Sequence, residues 1–201
     1  MIRAATATST LKILIASADP ELLGFLREGL EDHLGHQIVA EVSTGTDLVR
    51  SALNQEADVL VFDVHLPRCT GLEALRQIYQ ERPVAAVALT PERDQDLVRP
   101  FLEECYLTYL VKPVETHELE PAIWVAWSRF KIFRQLSDEN ALLRQTLENR
   151  KLIERAKGVL MRRYHWTESD AYRRLQRGAM NRRTTMANLA QAVLSGCEMN
   201  L

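Results

Sequence analysis

Three polar residues stand at the ends of apolar runs, where their side chains could act together. Asp63 ends the run DVLVFD, Thr90 follows VAAVAL, and Lys112 follows LTYLV. They supply a carboxylate nucleophile, a hydroxyl and a cation, a set that can converge on a phosphoryl oxygen. The three could form one site only if the apolar runs end at the same edge of a sheet.

The order of the predicted elements favours such a common edge. Continuous apolar runs are typical of strands that are covered on both faces, and two further runs are KILIA at 12–16 and QIVAEV at 37–42. Thr70 and Glu73 predict a capping box at a helix start. Five strands alternating with helices predict an α/β fold, a doubly wound parallel sheet with its ligand site at the carboxyl ends of the strands. The helices between the strands are predicted near 20–34, 45–54, 71–80 and 94–104.

The motifs at these strand ends resemble the receiver domain of response regulators. VFDVHLP followed by Gly71, LT ending at Thr90, and YLVKP around Lys112 carry the resemblance. It implies a flavodoxin-like fold in which Asp63 is the phosphoacceptor, Thr90 contacts the phosphoryl group and Lys112 pairs with the site. It also implies that Tyr109 is the aromatic switch residue, and that a sensor histidine kinase or a regulatory protein is a partner.

The chain departs from the receiver pattern after its first strand. Receivers carry an acidic pair there that helps to hold Mg²⁺, whereas here the strand runs into Ser17 and Ala18, and the first acid is Asp19. A shift of one residue in register would bring Asp19 into the pocket, so Asp63 and Asp19 are the candidate Mg²⁺ ligands. Because Mg²⁺ prefers several oxygen ligands in octahedral geometry, we expect weak Mg²⁺ binding and weakened phosphorylation of Asp63.

The C-terminal part of the chain is basic, and the rest is acidic. Residues 150–201 contain eleven Lys and Arg and four Asp and Glu, which gives a net charge of 11 − 4 = +7. The whole chain has a net charge of −2, so residues 1–149 carry −9. A small basic module on an acidic body suggests a polyanionic partner. A solvated basic face without a partner is the alternative.

Helical spacing predicts three helices in this basic segment. Ala171, Tyr172, Leu175 and Ala179 form the predicted buried face of the second helix. The first helix is predicted to run from Arg150 to about Arg163, and the second to begin at Thr167. The third is predicted to begin at Thr184 or Thr185 and to end at Gly196.

The same segment resembles the ANTAR domain, a three-helix RNA-binding module of bacterial antiterminators. IERAKGVLM, WTESDAY, Ala179-Met180 and RRTTM carry this resemblance over about the last fifty residues. It implies binding to RNA hairpin loops, usually by a dimer. Arginine can contact phosphates, stack on bases and bind base edges. The candidate RNA-binding residues are therefore the basic ones: Lys157, Arg162, Arg163, Arg173, Arg174, Arg182 and Arg183.

The aromatic residues beside these bases have two possible roles. Tyr164, His165 and Trp166 could stack on unpaired bases. Trp166 is better explained as a hydrophobic staple that packs on Ala171 at the start of the second helix.

No proline or glycine interrupts the chain between Ala122 and Lys157, so one long helix could span this region. Leu136, Asn140, Leu143 and Leu147 approximate the inward positions of two coiled-coil heptads, with Asn140 setting the register. We predict a homodimer through this seam; the alternative is that the seam packs on the chain's own last helices. The predicted domains are a receiver at 11–122, a helical linker at 123–149 and an ANTAR domain at 150–197.

Bulk features of the sequence predict a cytoplasmic protein. No apolar run is long enough for a membrane span, and the N-terminus lacks the apolar core of a signal peptide. Cys69, Cys105 and Cys197 are an odd number without metal-binding spacing and are expected to be reduced thiols. His33, His36, His65 and His117 are scattered and are expected at the surface.

The sequence thus predicts a response regulator that binds RNA in transcription antitermination and is not an enzyme. The alternative from another class is a phosphorylation-independent adaptor, whose degenerate receiver is bound by a protein partner. DNA binding is a third possibility, but the tail lacks a clear helix-turn-helix spacing.

Overall fold

The computed structural model describes residues 10–104 and 107–195. Cys105, Gly196 and Cys197, which are part of the expectations stated above, lie outside these residues. The chain divides into two compact units, one ending at Arg134 and the other beginning at Gln135.

The first unit is built on a five-stranded parallel sheet with the strand order β2-β1-β3-β4-β5. Every residue of the central strand β3 is buried, because helices cover both faces of the sheet. The predicted doubly wound parallel sheet is confirmed. The strands are β1 (Lys12–Ala16), β2 (Gln37–Val42), β3 (Val59–Asp63), β4 (Ala85–Pro91) and β5 (Leu107–Lys112).

Helices connect the strands near the predicted positions. The first is shorter than expected, because a π-helical turn at Glu28–His33 follows it. The predicted capping box of Thr70 and Glu73 is present at the start of α3. The helices of this part are α1 (Pro20–Arg27), α2 (Gly45–Asn54), α3 (Gly71–Glu81) and α4 (Gln95–Glu104), the last of which continues past Pro100.

Alternating residues of β3 build the hydrophobic cores on the two faces of the sheet. Leu60 and Phe62 belong to one core, whereas Val59 and Val61 belong to the other. This follows from the twofold side-chain period of a strand. The strands are thereby fixed in register, which in turn fixes the residues at their carboxyl ends.

The second unit is a three-helix module. It is formed by the last part of the long helix α5 (Thr116–Tyr164), by α6 (Glu168–Asn181) and by α7 (Met186–Leu194). Leu160, Leu175 and Leu189 are almost completely buried in its core. Among the described helices, none combines the length and the apolar character that a membrane crossing requires.

Threonine side chains begin the two short helices of this module. Thr167 accepts a hydrogen bond from the backbone N–H of Asp170, and Thr185 accepts one from that of Asn188. The expectation that Tyr172 is buried was wrong, since 45% of it is exposed. Its ring lies instead beside the ammonium group of Lys157, which is 6.0 Å from the ring centroid.

The domain boundaries stay predictions. The predicted boundaries 122/123 and 149/150 both fall inside α5. The linker and the first helix of the ANTAR segment are thus parts of one continuous helix, as the absence of proline and glycine between Ala122 and Lys157 suggested.

The expectation that His36 lies at the surface was wrong, since His36 is only 4% exposed. Its Nδ1 accepts a hydrogen bond of 3.4 Å from the backbone N–H of Leu11, and its Nε2 has no hydrogen-bond partner among the described residues. Burial lowers the pKa of His36, and the nearby charge of Glu120 opposes this effect only in part.

We expect the protein to lose stability as the pH falls below about 6.5, the ordinary pKa of histidine. The folded state holds His36 with a lowered pKa, so the unfolded chain takes up the proton first and acid favours unfolding. Denaturant unfolding between pH 5 and pH 8 measures this dependence. The His36→Gln variant should have a flatter pH profile than the unchanged protein, and equal slopes would show that other groups cause the effect.

Candidate functional site

Asp63 lies at the carboxyl end of β3 and is 5% exposed. Its Oδ2 accepts a hydrogen bond of 2.7 Å from Nζ of Lys112, at the end of β5. Its Oδ1 accepts one of 3.0 Å from the backbone N–H of His65. The structure thus brings the predicted nucleophile and cation together in an almost buried ion pair.

Thr90 and Tyr109 lie on the neighbouring strands. Thr90 is fully buried near the end of β4. It lies opposite Val111 of β5 in the parallel sheet. Tyr109 is half-buried and packs against the core that contains Phe62. Parallel register therefore places Asp63, Thr90 and Lys112 at one edge of the sheet, as their positions in sequence predicted.

A glycine is needed directly beside the backbone of Asp63. A Cβ atom on Gly71 would lie 2.3 Å from the backbone oxygen of Asp63 and 2.5 Å from the ring of Phe62. The backbone N–H of Gly71 also donates to the carbonyl of Val64. The start of α3 is therefore packed closely against the strand that carries Asp63.

The end of β1 has no carboxylate in the positions where receivers carry their acidic pair. Ser17 is fully buried, and Ala18 is exposed. The carboxylate of Asp19 is the cap of α1, because its Oδ1 accepts a hydrogen bond of 2.9 Å from the backbone N–H of Glu21. Ser17 Oγ in turn accepts one from the backbone N–H of Asp19.

The two predicted Mg²⁺ ligands are engaged in hydrogen bonds within the protein. Both oxygens of Asp63 already accept hydrogen bonds, and Asp19 is engaged at the helix cap. No group of three or more His, Cys, Asp or Glu side chains suited to a metal ion occurs in the part of the chain that the structure describes. Mg²⁺ requires several oxygen ligands, and the weak Mg²⁺ binding expected from the sequence stays a prediction.

His65 is a neighbour of this site whose role was not predicted from the sequence, where it was expected only to be a surface residue. Its Nε2 lies 2.7 Å from Oδ2 of Asp94, which follows β4. Half of the His65 side chain is exposed. The loops after β3 and β4 are therefore joined beside the Asp63–Lys112 pair, a contact between distant parts of the chain that spacing in sequence does not reveal.

A basic hollow lies along α6. Its lining includes three of the predicted RNA-binding residues, Arg173, Arg174 and Arg182, together with Asp170. Arg177 and Asn181 also line the hollow, although they were not among the RNA-binding residues predicted from the sequence. Their helical spacing, four and eight residues after Arg173, is the signal that could have found them. We call this group of side chains the α6 hollow.

Lys157 has different surroundings from the other predicted RNA-binding residues. It is 6% exposed, and its Nζ donates to Glu154 at 2.9 Å and to Glu168 at 2.8 Å. Hydrogen bonds to Glu154 and then Glu168 raise the pKa of Lys157, and the bond to Lys157 lowers the pKa of Glu168. These contacts join α5 to α6 and favour a positioning role.

The remaining predicted arginines lie near the two turns of the module. Arg162 is exposed on α5, and Arg163 lies with its guanidinium 5.6 Å from the ring centroid of Tyr164. Arg183, between α6 and α7, has a left-handed backbone with φ of 51°. Left-handed backbone is rare for residues other than glycine, and such strain is often retained where the side chain has a function.

The predicted dimer seam is an exposed apolar stripe of α5. Leu136, Leu143 and Leu147 are 59%, 65% and 57% exposed. Asn140 lies between them on the same helix and is exposed as well. Three exposed leucines at heptad spacing leave apolar surface that another helix could cover.

Comparison with known families matches both parts of the chain. Residues 13–123 match the response regulator receiver domain. Residues 141–194 match the ANTAR domain. The first match contains Asp63, Thr90 and Lys112, and the second contains the α6 hollow.

Relatives with both parts, and relatives with only one, are found. The transcriptional regulatory protein PdtaR of Mycobacterium tuberculosis is 39% identical over 183 residues, which cover 91% of this chain and 89% of that protein. A protein-glutamate methylesterase/protein-glutamine glutaminase of Pseudomonas savastanoi is 35% identical over 91 residues, 45% of this chain and 27% of its own length. The latter match lies within the part that is shared with receivers.

Solved structures of receiver domains resemble the first part of the chain. A receiver domain protein of Clostridium thermocellum has a TM-score of 0.55 and 28% identity, covering 61% of this chain and 98% of that one. The receiver domain of a Pseudomonas aeruginosa sensor histidine kinase, which holds magnesium in its active-site cleft, has a TM-score of 0.50 and 27% identity, covering 58% and 98%. With its receiver and ANTAR domains and its similarity to PdtaR over nearly the whole length of both chains, this protein belongs to the ANTAR response regulators.

Proposed function

We propose that this protein is an RNA-binding transcription antiterminator whose receiver domain is atypical, with weakened Mg²⁺-dependent phosphorylation of Asp63. The α6 hollow carries the proposal, because four arginines line it, three on α6 and Arg182 at its end, and clustered arginines can bind phosphates. The partner is an RNA hairpin loop, and the protein acts in the cytoplasm, where transcripts are made.

The distribution of charge supports a nucleic-acid partner. The net charge of +7 in residues 150–201 stands against −9 in the rest of the chain. Such a basic surface attracts a polyanion and raises its association rate. We assign the phosphate contacts to Arg173, Arg177 and Arg182 and leave Lys157 to position α6 through Glu168.

The same proposal includes a homodimer. Leu136, Asn140, Leu143 and Leu147 would form the seam, and two copies of α5 would bury the exposed leucines against each other. A dimer presents two basic modules, so one transcript could be bound at two hairpins.

The receiver would be a weak phosphoacceptor. Asp63 has a cation and a hydroxyl near it, but the acids that should hold Mg²⁺ are replaced by Ser17 and Ala18. Charge stabilisation by the metal is a large part of phosphoryl-transfer catalysis. We therefore propose slow modification of Asp63 by a sensor histidine kinase or a small phosphodonor, with Asp19 as the first acid after β1.

A second candidate function is that of a phosphorylation-independent adaptor, in which a protein partner binds the receiver. The position of Asp19 favours it, because this carboxylate caps α1 and is engaged there instead of being free to bind a metal ion. The Asp63→Asn variant separates the two functions. If the receiver is used without phosphorylation, RNA binding by this variant should equal that of the unchanged protein in the presence of the kinase or phosphodonor.

Selection of RNA ligands by the purified full chain, with and without an acyl-phosphate donor, tests the proposed function. Enrichment of hairpins with related loops supports it, and a pool without common structure contradicts it. A selected hairpin then serves as the probe for the variants below.

Replacing Arg173 and Arg177 by glutamine should weaken hairpin binding about tenfold and reduce the slope of log K against log salt by about two, since each lost phosphate contact reduces it by about one. Fluorescence anisotropy at several salt concentrations measures both quantities. The matched control is Arg129→Gln with Arg144→Gln, which removes two exposed arginines outside the hollow. Equal losses in the two double variants would show that only net charge matters.

A further inference from the structure

Two aromatic rings are stacked at the turn between α5 and α6. The ring centroids of Tyr164 and Trp166 are 4.6 Å apart, and the ring planes differ by 17°. His165 between them has a left-handed backbone with φ of 53°. The turn is thus held in an uncommon conformation with both rings parallel.

Arginine extends this stack. The guanidinium carbon of Arg174 lies 4.2 Å from the ring centroid of Trp166, and that of Arg163 lies 5.6 Å from the ring centroid of Tyr164. Guanidinium groups stack favourably on aromatic faces. Because Arg174 also lines the α6 hollow, the aromatic stack and the hollow share a residue and are adjacent.

The two rings differ in exposure. Trp166 is half-buried and packs against the core of the module, in agreement with its predicted role as a helix staple. Tyr164 is 41% exposed. A staple requires Trp166 alone, so packing of the core does not account for a second, parallel and exposed ring.

We propose that Tyr164, backed by Trp166, is the stacking site for one unpaired base of an RNA loop, while the α6 hollow binds a phosphate close to that base. This inference rests on the proposed RNA-binding function. Single-stranded bases stack on exposed aromatic rings and on guanidinium planes, whereas bases inside a duplex are not accessible in this way. The ligand class is therefore a hairpin with an unpaired loop nucleotide and not a continuous duplex.

The test combines protein variants with changes in the RNA probe. The full chain is titrated with a hairpin from the selection, and with versions in which each loop base in turn is replaced by an abasic site. Loss of one stacked base costs on the order of tenfold in affinity. Tyr164→Ala should cause such a loss, and Tyr164→Phe, which keeps the ring, should bind like the unchanged protein.

The decisive observation is the coupling between protein and RNA. At one loop position, the abasic change should weaken binding by the unchanged protein about tenfold and should leave binding by the Tyr164→Ala variant unaffected. Tyr172→Ala is the matched control, since Tyr172 is a second exposed tyrosine of the module, with 45% exposure. It should retain normal binding and normal sensitivity to the abasic site.

Two outcomes overturn the inference, and they can be told apart. If hairpins bind but the effects of Tyr164→Ala and of the abasic sites are additive at every loop position, the stacking site is refuted and RNA binding stands. If the unchanged chain binds no hairpin, the proposed function fails and the stacking site fails with it.

Discussion

Replacing Leu143 and Leu147 by lysine is expected to convert the proposed dimer into monomers. The two leucines lie on the exposed apolar stripe of α5, where they are 65% and 57% exposed in the single chain. In the proposed dimer they face their counterparts on the second helix, so lysines there would bring like charges together in a buried seam.

The expected effect is large because several charges are buried at once. Leaving one charge buried without a partner costs about 3–5 kcal/mol, and the dimer would contain four new lysines. We therefore expect the dissociation constant of the dimer to rise by on the order of a thousandfold or more. Sedimentation velocity across a range of protein concentrations measures the change.

A matched control adds the same charge beside the seam. Leu142 is 64% exposed but does not lie at a heptad position of the seam, and Gln145 is exposed as well. The variant Leu142→Lys with Gln145→Lys should remain dimeric. If Leu143→Lys with Leu147→Lys is still a dimer, the contact between the copies is built elsewhere in the chain.

Restoring acids at the end of β1 should give the second large effect. We expect Ser17→Asp with Ala18→Asp to tighten Mg²⁺ binding by about 100-fold, since loss of even an outer partner of a metal ligand costs about 10–100-fold. Labelling of Asp63 by acetyl phosphate should become faster by a similar factor, because the metal stabilises the charge that develops during phosphoryl transfer. Calorimetric titration and the time course of labelling measure the two effects.

Two controls make this experiment specific. Asp63→Asn in the restored background should abolish labelling, which identifies the modified residue. Thermal unfolding with and without Mg²⁺ should show stabilisation by the metal in the restored variant, because an ion that binds only the folded state stabilises it. Rapid and complete labelling of the unmodified protein in Mg²⁺ would contradict a weak metal site and would indicate that Asp19 supplies a ligand.

The strands, and the edge of the sheet that carries Asp63, could be predicted directly from the sequence. This is because strands that are covered on both faces consist of continuous apolar runs. The predicted runs lie within one or two residues of β1 to β5. Capping threonines were equally readable, since Thr70 and Thr167 bond to residues three positions ahead. Interactions of this kind are local, and spacing alone determines them.

The features that the sequence did not reveal depend on residues far apart in the chain. Buried His36 accepts a hydrogen bond from the backbone N–H of Leu11, which lies 25 residues before it. In the sequence, Lys157 cannot be distinguished from the other basic residues. Its special role depends on the hydrogen bond to Glu168, which is formed only when α6 packs beside α5. The stack of Tyr164, Trp166 and Arg174 depends on the turn at His165. The left-handed backbone of this turn was not predicted from the sequence.

The most direct test of RNA binding by the ANTAR domain compares a selected RNA hairpin with duplex DNA. The full chain is titrated with each at several salt concentrations. We predict a clear preference for the hairpin and a log K that falls with log salt by about 0.7–0.9 for every phosphate bound, hence by about 2–3 for three arginines. Binding that is insensitive to salt, or equally strong to duplex DNA, would contradict the proposed function.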